Sequence, residues 1–221
     1  MVDTFDPRLD ILPAAQRRLW DELGQILPQF VLYGGTAVAL HLGHRQSVDF
    51  DFFGGEDFEP AALTRTIPFM ADAVITQQAP STLSATLDRG GPVKVSFFGL
   101  PSIRPQMPPQ IAPGTGLKVA SLLDLAGMKA AVVQQRAEAK DYLDIDAILA
   151  DGRIDLPLAL AAASAIYGRQ FNPQITLKAL SFFADGDLPG LPGAVQQRLA
   201  EAARKVDLDS LPALPHAEPP R

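Results

Sequence analysis

The apolar positions of this chain change period as the sequence is read. Near the N-terminus Leu19, Trp20, Leu23 and Leu27 recur at helical steps, predicting a helix over 13–27 that Pro13 can open. Residues 30–33 form a short apolar run that stops at Gly34-Gly35, the signature of a buried strand. Thr36 then reads as the N-cap of a brief helix over 37–42, with Gly43 as its end. Between 47 and 53 the period drops to two. Val48, Phe50 and Phe52 fall on one face of the expected strand, and Asp49 and Asp51 on the other. A helix over 59–72 follows, then strands over 74–78, 82–87 and 93–98, with Arg89-Gly90-Gly91-Pro92 as the turn between the last two.

Residues 100–116 hold five prolines and two glycines, so no regular structure is expected there. Beyond them the pattern is helical: 122–135, capped by Ser121, then 137–149, 157–167, 173–183 and 194–206. The prediction is an α+β chain. A mixed sheet with flanking helices occupies residues 1–100, a crossing loop 101–116, a helical domain 117–207 and a flexible tail 208–221. No internal repeat is present.

Composition narrows the function. The 221 residues suffice for one large or two small domains, and an apolar fraction of 47 % can fill a core. A formal charge of −6 gives no global basic footprint for nucleic acid, although it leaves room for a local basic groove. The absence of cysteine rules out disulfides and thiolate metal sites. His41, His44 and His216 are too few and too scattered for a zinc site. No apolar stretch is long enough to span a bilayer, and the N-terminus lacks the basic and apolar regions of a secretion signal. A cytoplasmic protein with no membrane partner is the expectation.

The candidate chemistry lies between residues 33 and 53. A helix start preceded by glycines presents backbone N–H groups and a partial positive charge, and glycine lets a phosphate approach the backbone closely. Gly34, Gly35 and Thr36 supply those features. Asp49 and Asp51 stand two apart on one strand face, with Cα atoms about 6.6 Å apart. Two carboxylates, triphosphate oxygens and water together meet the octahedral oxygen preference of Mg2+. Charge in so apolar a strand needs a reason of this kind. Arg45, just before the acidic strand, is placed to meet a phosphate or one of the aspartates. His41 and His44 read mainly as packing and capping residues.

A second block carries Lys129, Lys140, Asp141 and Asp144. In one continuous helix Lys129, Lys140 and Asp144 would share a face, with Asp141 rotated away by roughly 100°. A helix break near Ala137 removes that argument, so spacing alone leaves Asp141 and Asp144 both open. A solvated Lys140–Asp144 pair is the plain alternative.

The residues Gly34-Gly35-Thr36, Leu40-His41-Leu42-Gly43-His44-Arg45 and Ser47-Val48-Asp49-Phe50-Asp51-Phe52-Phe53 resemble the AbiEii/AbiGii-type nucleotidyltransferases. The resemblance resumes at Asp124-Leu125-Ala126-Gly127-Met128-Lys129 and Lys140-Asp141-Tyr142-Leu143-Asp144, and covers most of 14–185. It implies a DNA polymerase β-like nucleotidyltransferase sheet followed by a helical domain, with the active site in the cleft between them. It also implies a bacterial toxin of a toxin–antitoxin system, with an antitoxin encoded nearby. The cosubstrates it implies are an NTP and Mg2+, with Mn2+ as the alternative ion, and the acceptor is a hydroxyl of tRNA, another RNA or a protein. On this resemblance Asp49 and Asp51 are the metal-binding catalytic pair and Thr36 is the hydroxyl of the phosphate loop. Lys129 reaches the triphosphate, and Asp141 or Asp144 is the downstream acid, with Lys140, a further nucleotide-binding candidate, neighbouring both. Polymerase β-like enzymes usually carry a third carboxylate on a later strand, whereas the strand over 93–98 offers only Lys94 and Ser96. That departure keeps two alternatives in view: a nucleotide-binding module of weak or no turnover, and a nucleotidyltransferase acting on a small molecule.

Overall fold

The computed structural model describes residues 5–214; His216 and the end of the expected tail lie outside the described residues. The chain divides into two compact units. The first comprises Met1–Ile103 with Pro108–Ser121, and the second Arg104–Met107 with Leu122–Arg221.

In the first unit the order is α1 (Ala14–Trp20), β1 (Phe30–Tyr33), α2 (Gly34–Leu42), β2 (Asp49–Gly54), α3 (Pro60–Thr66), β3 (Val74–Ala79), β4 (Thr82–Asp88), β5 (Pro92–Gly99), β6 (Gln110–Ile111) and β7 (Lys118–Val119). The strands form one mixed sheet in the order β3-β4-β5-β2-β1-β7-β6. β2 runs antiparallel to β1 and parallel to β5, and β7 lies parallel to β1. Leu32, Phe50, Phe52, Leu83, Ala85, Val95 and Phe97 are fully buried. Phe52 stacks on Phe97 at 5.3 Å between ring centroids, and Phe30 meets Phe97 edge-on at 5.2 Å. Each fully buried aromatic of this kind contributes on the order of 1.5–3 kcal/mol through area removed from water. The register places Tyr33, Asp51, Ser96 and Ser84 in one row across four strands, and Asp49, Lys94 and Thr86 in another. Alternation therefore separates the acids from Phe50 and Phe52, as the period of two predicts, while Phe53 shares the acids' face.

Four expectations change here. Val48 does not join the apolar face: it precedes β2 and is 62 % exposed. The helix expected over 13–27 is α-helical only to Trp20 and continues as 3-10 turns over Asp21–Gln25. The helix expected over 59–72 breaks at Ile67, which turns extended ahead of Pro68, and only a 3-10 stretch follows over Pro68–Asp72. The proline-rich segment holds β6, and β7 follows soon after, although each is only two residues long. Both are too short to show a period. β7 is recruited by pairing to the edge of β1 and β6 by pairing to β7, which is a tertiary effect.

The second unit contains α4 (Leu122–Val132), α5 (Ala139–Asp151), α6 (Leu156–Tyr167), α7 (Pro173–Ala179) and α8 (Gly193–Lys205). Its core gathers Tyr142, Ile145, Leu156, Leu160, Leu180, Val195 and Leu199. A Cβ on Gly127 would lie 2.8 Å from the backbone nitrogen of Ala163 and 2.9 Å from the carbonyl carbon of Ala162. α4 and the alanine-rich α6 thus cross with their backbones nearly touching, which only glycine at 127 permits. The Asp124 carboxylate accepts the backbone N–H groups of Gln106 at 2.6 Å and Met107 at 3.2 Å, tying residues 104–107 to α4.

Candidate active site

The corner between β1 and α2 is built by its glycines. Gly34 has φ of +74°, a conformation that L side chains rarely adopt, and it begins α2 directly after Tyr33. Tyr33, not Thr36, is the N-cap residue; the helix starts earlier than its capping pattern predicts. Thr36 instead sits inside the first turn, fully buried, and its hydroxyl donates to the backbone carbonyl of Asp49. Its contribution in this structure is a tie between the helix start and the acidic strand. Gly43 closes the helix in the left-handed conformation, as expected.

A β-carbon on Gly34 would lie 2.7 Å from Oδ2 of Asp51, so that carboxylate rests against the helix start. A β-carbon on Gly35 would lie 2.5 Å from an Nη atom of Arg45 and 3.1 Å from Oγ of Ser47. Gly35 therefore leaves room for a guanidinium and a hydroxyl where any other residue would place a methyl group. Arg45 also donates to the carbonyl of Gln46 at 2.9 Å. The diglycine, Asp51, Arg45 and Ser47 form one cluster. Ser47 is the member that sequence reasoning missed, because its position marks it only as the start of a strand. Asp49 is half-buried, in register with the exposed Lys94. Ser96 stands beside Asp51 and accepts a hydrogen bond from Ser84 at 3.1 Å. Neither row adds a third acid to the pair.

Two half-buried carboxylates on one strand face supply hard oxygen donors, the type that Mg2+ and Mn2+ take. Among the described residues there is no group of three or more His, Cys, Asp or Glu suited to hold an ion. The donor set thus suits an ion that keeps much of its shell in water and phosphate oxygens. His41 acts in packing, as expected. Its Nε2 lies 2.9 Å from the carbonyl of Ala120, and its ring stacks on Phe5.

The second block, within the helical unit, is a buried charge cluster. α4 ends at Val132 and α5 begins at Ala139, so the continuous helix does not exist. The break folds both acids onto the lysine: Lys129 Nζ lies 2.6 Å from Oδ1 of Asp141 and 2.6 Å from Oδ2 of Asp144. Both aspartates are fully buried and Lys129 is 7 % exposed. Arg136 donates from Nε to Oδ2 of Asp141 at 2.8 Å and from Nη2 to Oδ1 at 3.2 Å. Burial alone raises the Asp141 carboxyl, but Arg136 and Lys129 outweigh it and hold the group below the usual carboxylate range. Lys140 is exposed and pairs with Glu138 at 2.8 Å rather than with either aspartate, and Glu138 in turn lies 3.6 Å from Arg136. Arg136 escapes a reading of the sequence because it lies in the turn after α4, where no periodic signal points inward.

Comparison with known proteins decides the family. The model of the nucleotidyl transferase AbiEii toxin of type IV toxin–antitoxin systems matches residues 18–217. The chain belongs to this AbiEii family. It is a nucleotidyltransferase of a toxin lineage. A relative of uncharacterised function in Aquifex aeolicus (strain VF5), aq_aa25, is 31 % identical over 164 residues, covering 72 % of this chain and 76 % of its own length. Among solved structures, MenT4, a nucleotidyltransferase toxin from Mycobacterium tuberculosis H37Rv, superposes with a TM-score of 0.57 at 15 % identity, over 89 % of this chain and 87 % of that one. A candidate nucleotidyltransferase from H. pylori gives 0.52 at 17 % identity, over 86 % and 90 %. At such identities these two establish the shared fold. The α+β architecture and the family read from residues 33–53 are both borne out. Among the described residues no helix is long and apolar enough to cross a membrane.

Proposed function

We propose that this AbiEii-family protein transfers a nucleoside monophosphate from an NTP to a hydroxyl acceptor, releasing pyrophosphate, in a reaction that depends on Mg2+ or Mn2+. The observation that carries the reading is the contact of Asp51 Oδ2 with the α-carbon side of Gly34 at the helix start. It supports a reading in which Asp51 binds an ion beside a backbone that binds the anion. Asp49 and Asp51 would hold the ion, which when bound would neutralise the leaving pyrophosphate and make an attacking hydroxyl more acidic. The backbone of Gly34 and Gly35 and the Arg45 guanidinium would orient the triphosphate. Ser47 would add a hydroxyl donor. Thr36 would fix the height of Asp49 through its carbonyl. Lys129, with Asp141 and Asp144 fixing its charge, is proposed to act on the triphosphate, with Lys140 an outlying contact.

An RNA such as tRNA, or a protein, is the proposed acceptor, and an antitoxin encoded nearby the proposed regulator. The test is incubation with each of four α-labelled NTPs, Mg2+ and bulk tRNA. Label should pass to the acceptor with the native chain. Asp51→Asn should lose transfer by about a thousandfold or more, while its circular dichroism spectrum stays native. Undiminished transfer by that variant would refute the mechanism.

A further inference from the structure

The far end of the sheet carries a second feature, independent of the acidic corner. β3 is the terminal strand, bonded on one side to β4 alone. All six of its residues are exposed, with Val74 at 66 % and Ile75 at 38 %. Its sequence, Val-Ile-Thr-Gln-Gln-Ala, has no charge and no proline. Open edges are usually blunted by lysine, proline, bulges or extreme shortness. The opposite edge obeys that rule: β6 is two residues long. β3 has only a bulge, between Ile75 and Gln77, and is otherwise six residues of uncharged, proline-free strand.

The end of β3 runs into a cavity of about 610 Å³, walled by Gln78, Ala79, Pro80 and Ser81 on one side and by Asp57 to Pro60 on the other. Its walls are apolar at Phe58, Pro60 and Pro80, and acidic at Asp57 and Glu59; no lysine or arginine lines it. Ser81 donates to Asp57 Oδ1 at 2.7 Å and holds that carboxylate in place.

We propose that β3 is a docking edge for an extended, basic polypeptide segment of another protein. Its backbone would add an eighth strand beside β3. One lysine or arginine side chain would lie with its stem on Pro60 and Pro80 and its cation at Asp57 and Glu59. Charge complementarity selects this occupant over a second copy of the chain, which itself carries a formal charge of −6.

The probe is a set of octapeptides of alternating Thr and Val, carrying Lys, Ala or Glu at either end, titrated against the full chain by fluorescence anisotropy. Saturable binding is expected for the lysine peptides, weaker by about tenfold for alanine and absent for glutamate. Deuterium exchange should slow within residues 74–79 on binding. Ile75→Lys should abolish binding, and Asp57→Asn with Glu59→Gln should erase the preference for lysine. Neither change touches the acidic corner, so nucleotidyl transfer should be unaltered and serves as the control for folding. Equal binding of the three peptides, no saturable binding up to roughly 1 mM, or unchanged exchange at 74–79 would overturn the proposal. Self-association in sedimentation velocity, removed by Ile75→Lys, would overturn it in favour of a homodimer edge.

Discussion

Replacing Lys129 by Met probes the buried cluster most sharply. The native group balances: Lys129 and Arg136 against Asp141 and Asp144. Lys129→Met leaves two fully buried carboxylates facing one guanidinium, itself on the exposed side of the cluster. Removing one partner from a buried pair costs about 3–5 kcal/mol, chiefly because the remaining charge is stranded in a poorly solvating site. For a helical unit of this size, with a urea m-value of about 1.5 kcal/mol/M, the midpoint should fall by about 2–3 M. Urea titration followed at 222 nm reads this. The double variant Lys129→Met/Asp144→Leu restores the balance, leaving Arg136 on Asp141, and should recover most of the loss. A double variant as unstable as the single one, or a single variant within about 1 kcal/mol of native, would refute the charge-balance reasoning. The same pair separates structure from chemistry. A stable double variant that transfers no nucleotide places Lys129 or Asp144 in the chemistry, whereas recovered transfer confines both to support.

Four further outcomes are expected. Asp51→Asn abolishes transfer with the fold intact, as read by labelled NTP incorporation. Gly35→Ala pushes the Arg45 guanidinium off its seat, a flexible group that can move, so the chain should fold normally while KM for NTP rises several-fold in steady-state kinetics. Gly127→Leu forces α4 from the backbone of α6, where nothing can yield; a loss of about 3 kcal/mol or more should appear in thermal unfolding. The Asp141 carboxyl is held below its ordinary value, so its stabilising effect is whole above about pH 4 and disappears as pH falls through the lowered value. Unfolding free energies at pH 7, 5 and 3 should show this, and Asp141→Asn should flatten the lowest part of the profile.

What the sequence made legible follows from periodicity and from glycine. β1 was readable to the residue, because four apolar residues end abruptly at a diglycine, and β2, β4 and β5 within about one or two residues, because alternation and turn residues bound them. The acidic pair and its glycines were readable because charge on an apolar strand, next to a helix start, is costly unless chemistry requires it. Other features were not local. Thr36 looks like a cap, but Tyr33 already serves as one, and the hydroxyl is drawn inward by Asp49 across 13 positions. The union of Asp141 and Asp144 at Lys129 depends on the turn over residues 133–138, which helical periodicity cannot see. β7 forms on the edge that β1 offers, and β6 on the edge of β7.

The clip formed by Asp124 has a consequence for how this protein can be taken apart. The polypeptide leaves the sheet unit at Arg104, returns at Pro108 and leaves again after Ser121. Cutting at 103 deprives β1 of its parallel neighbour; cutting at 121 strips Asp124 of the two amides that satisfy it. No single cut releases either unit whole, because the two are not consecutive in the chain. A split version of this chain should therefore carry residues 104–107 along with the helices.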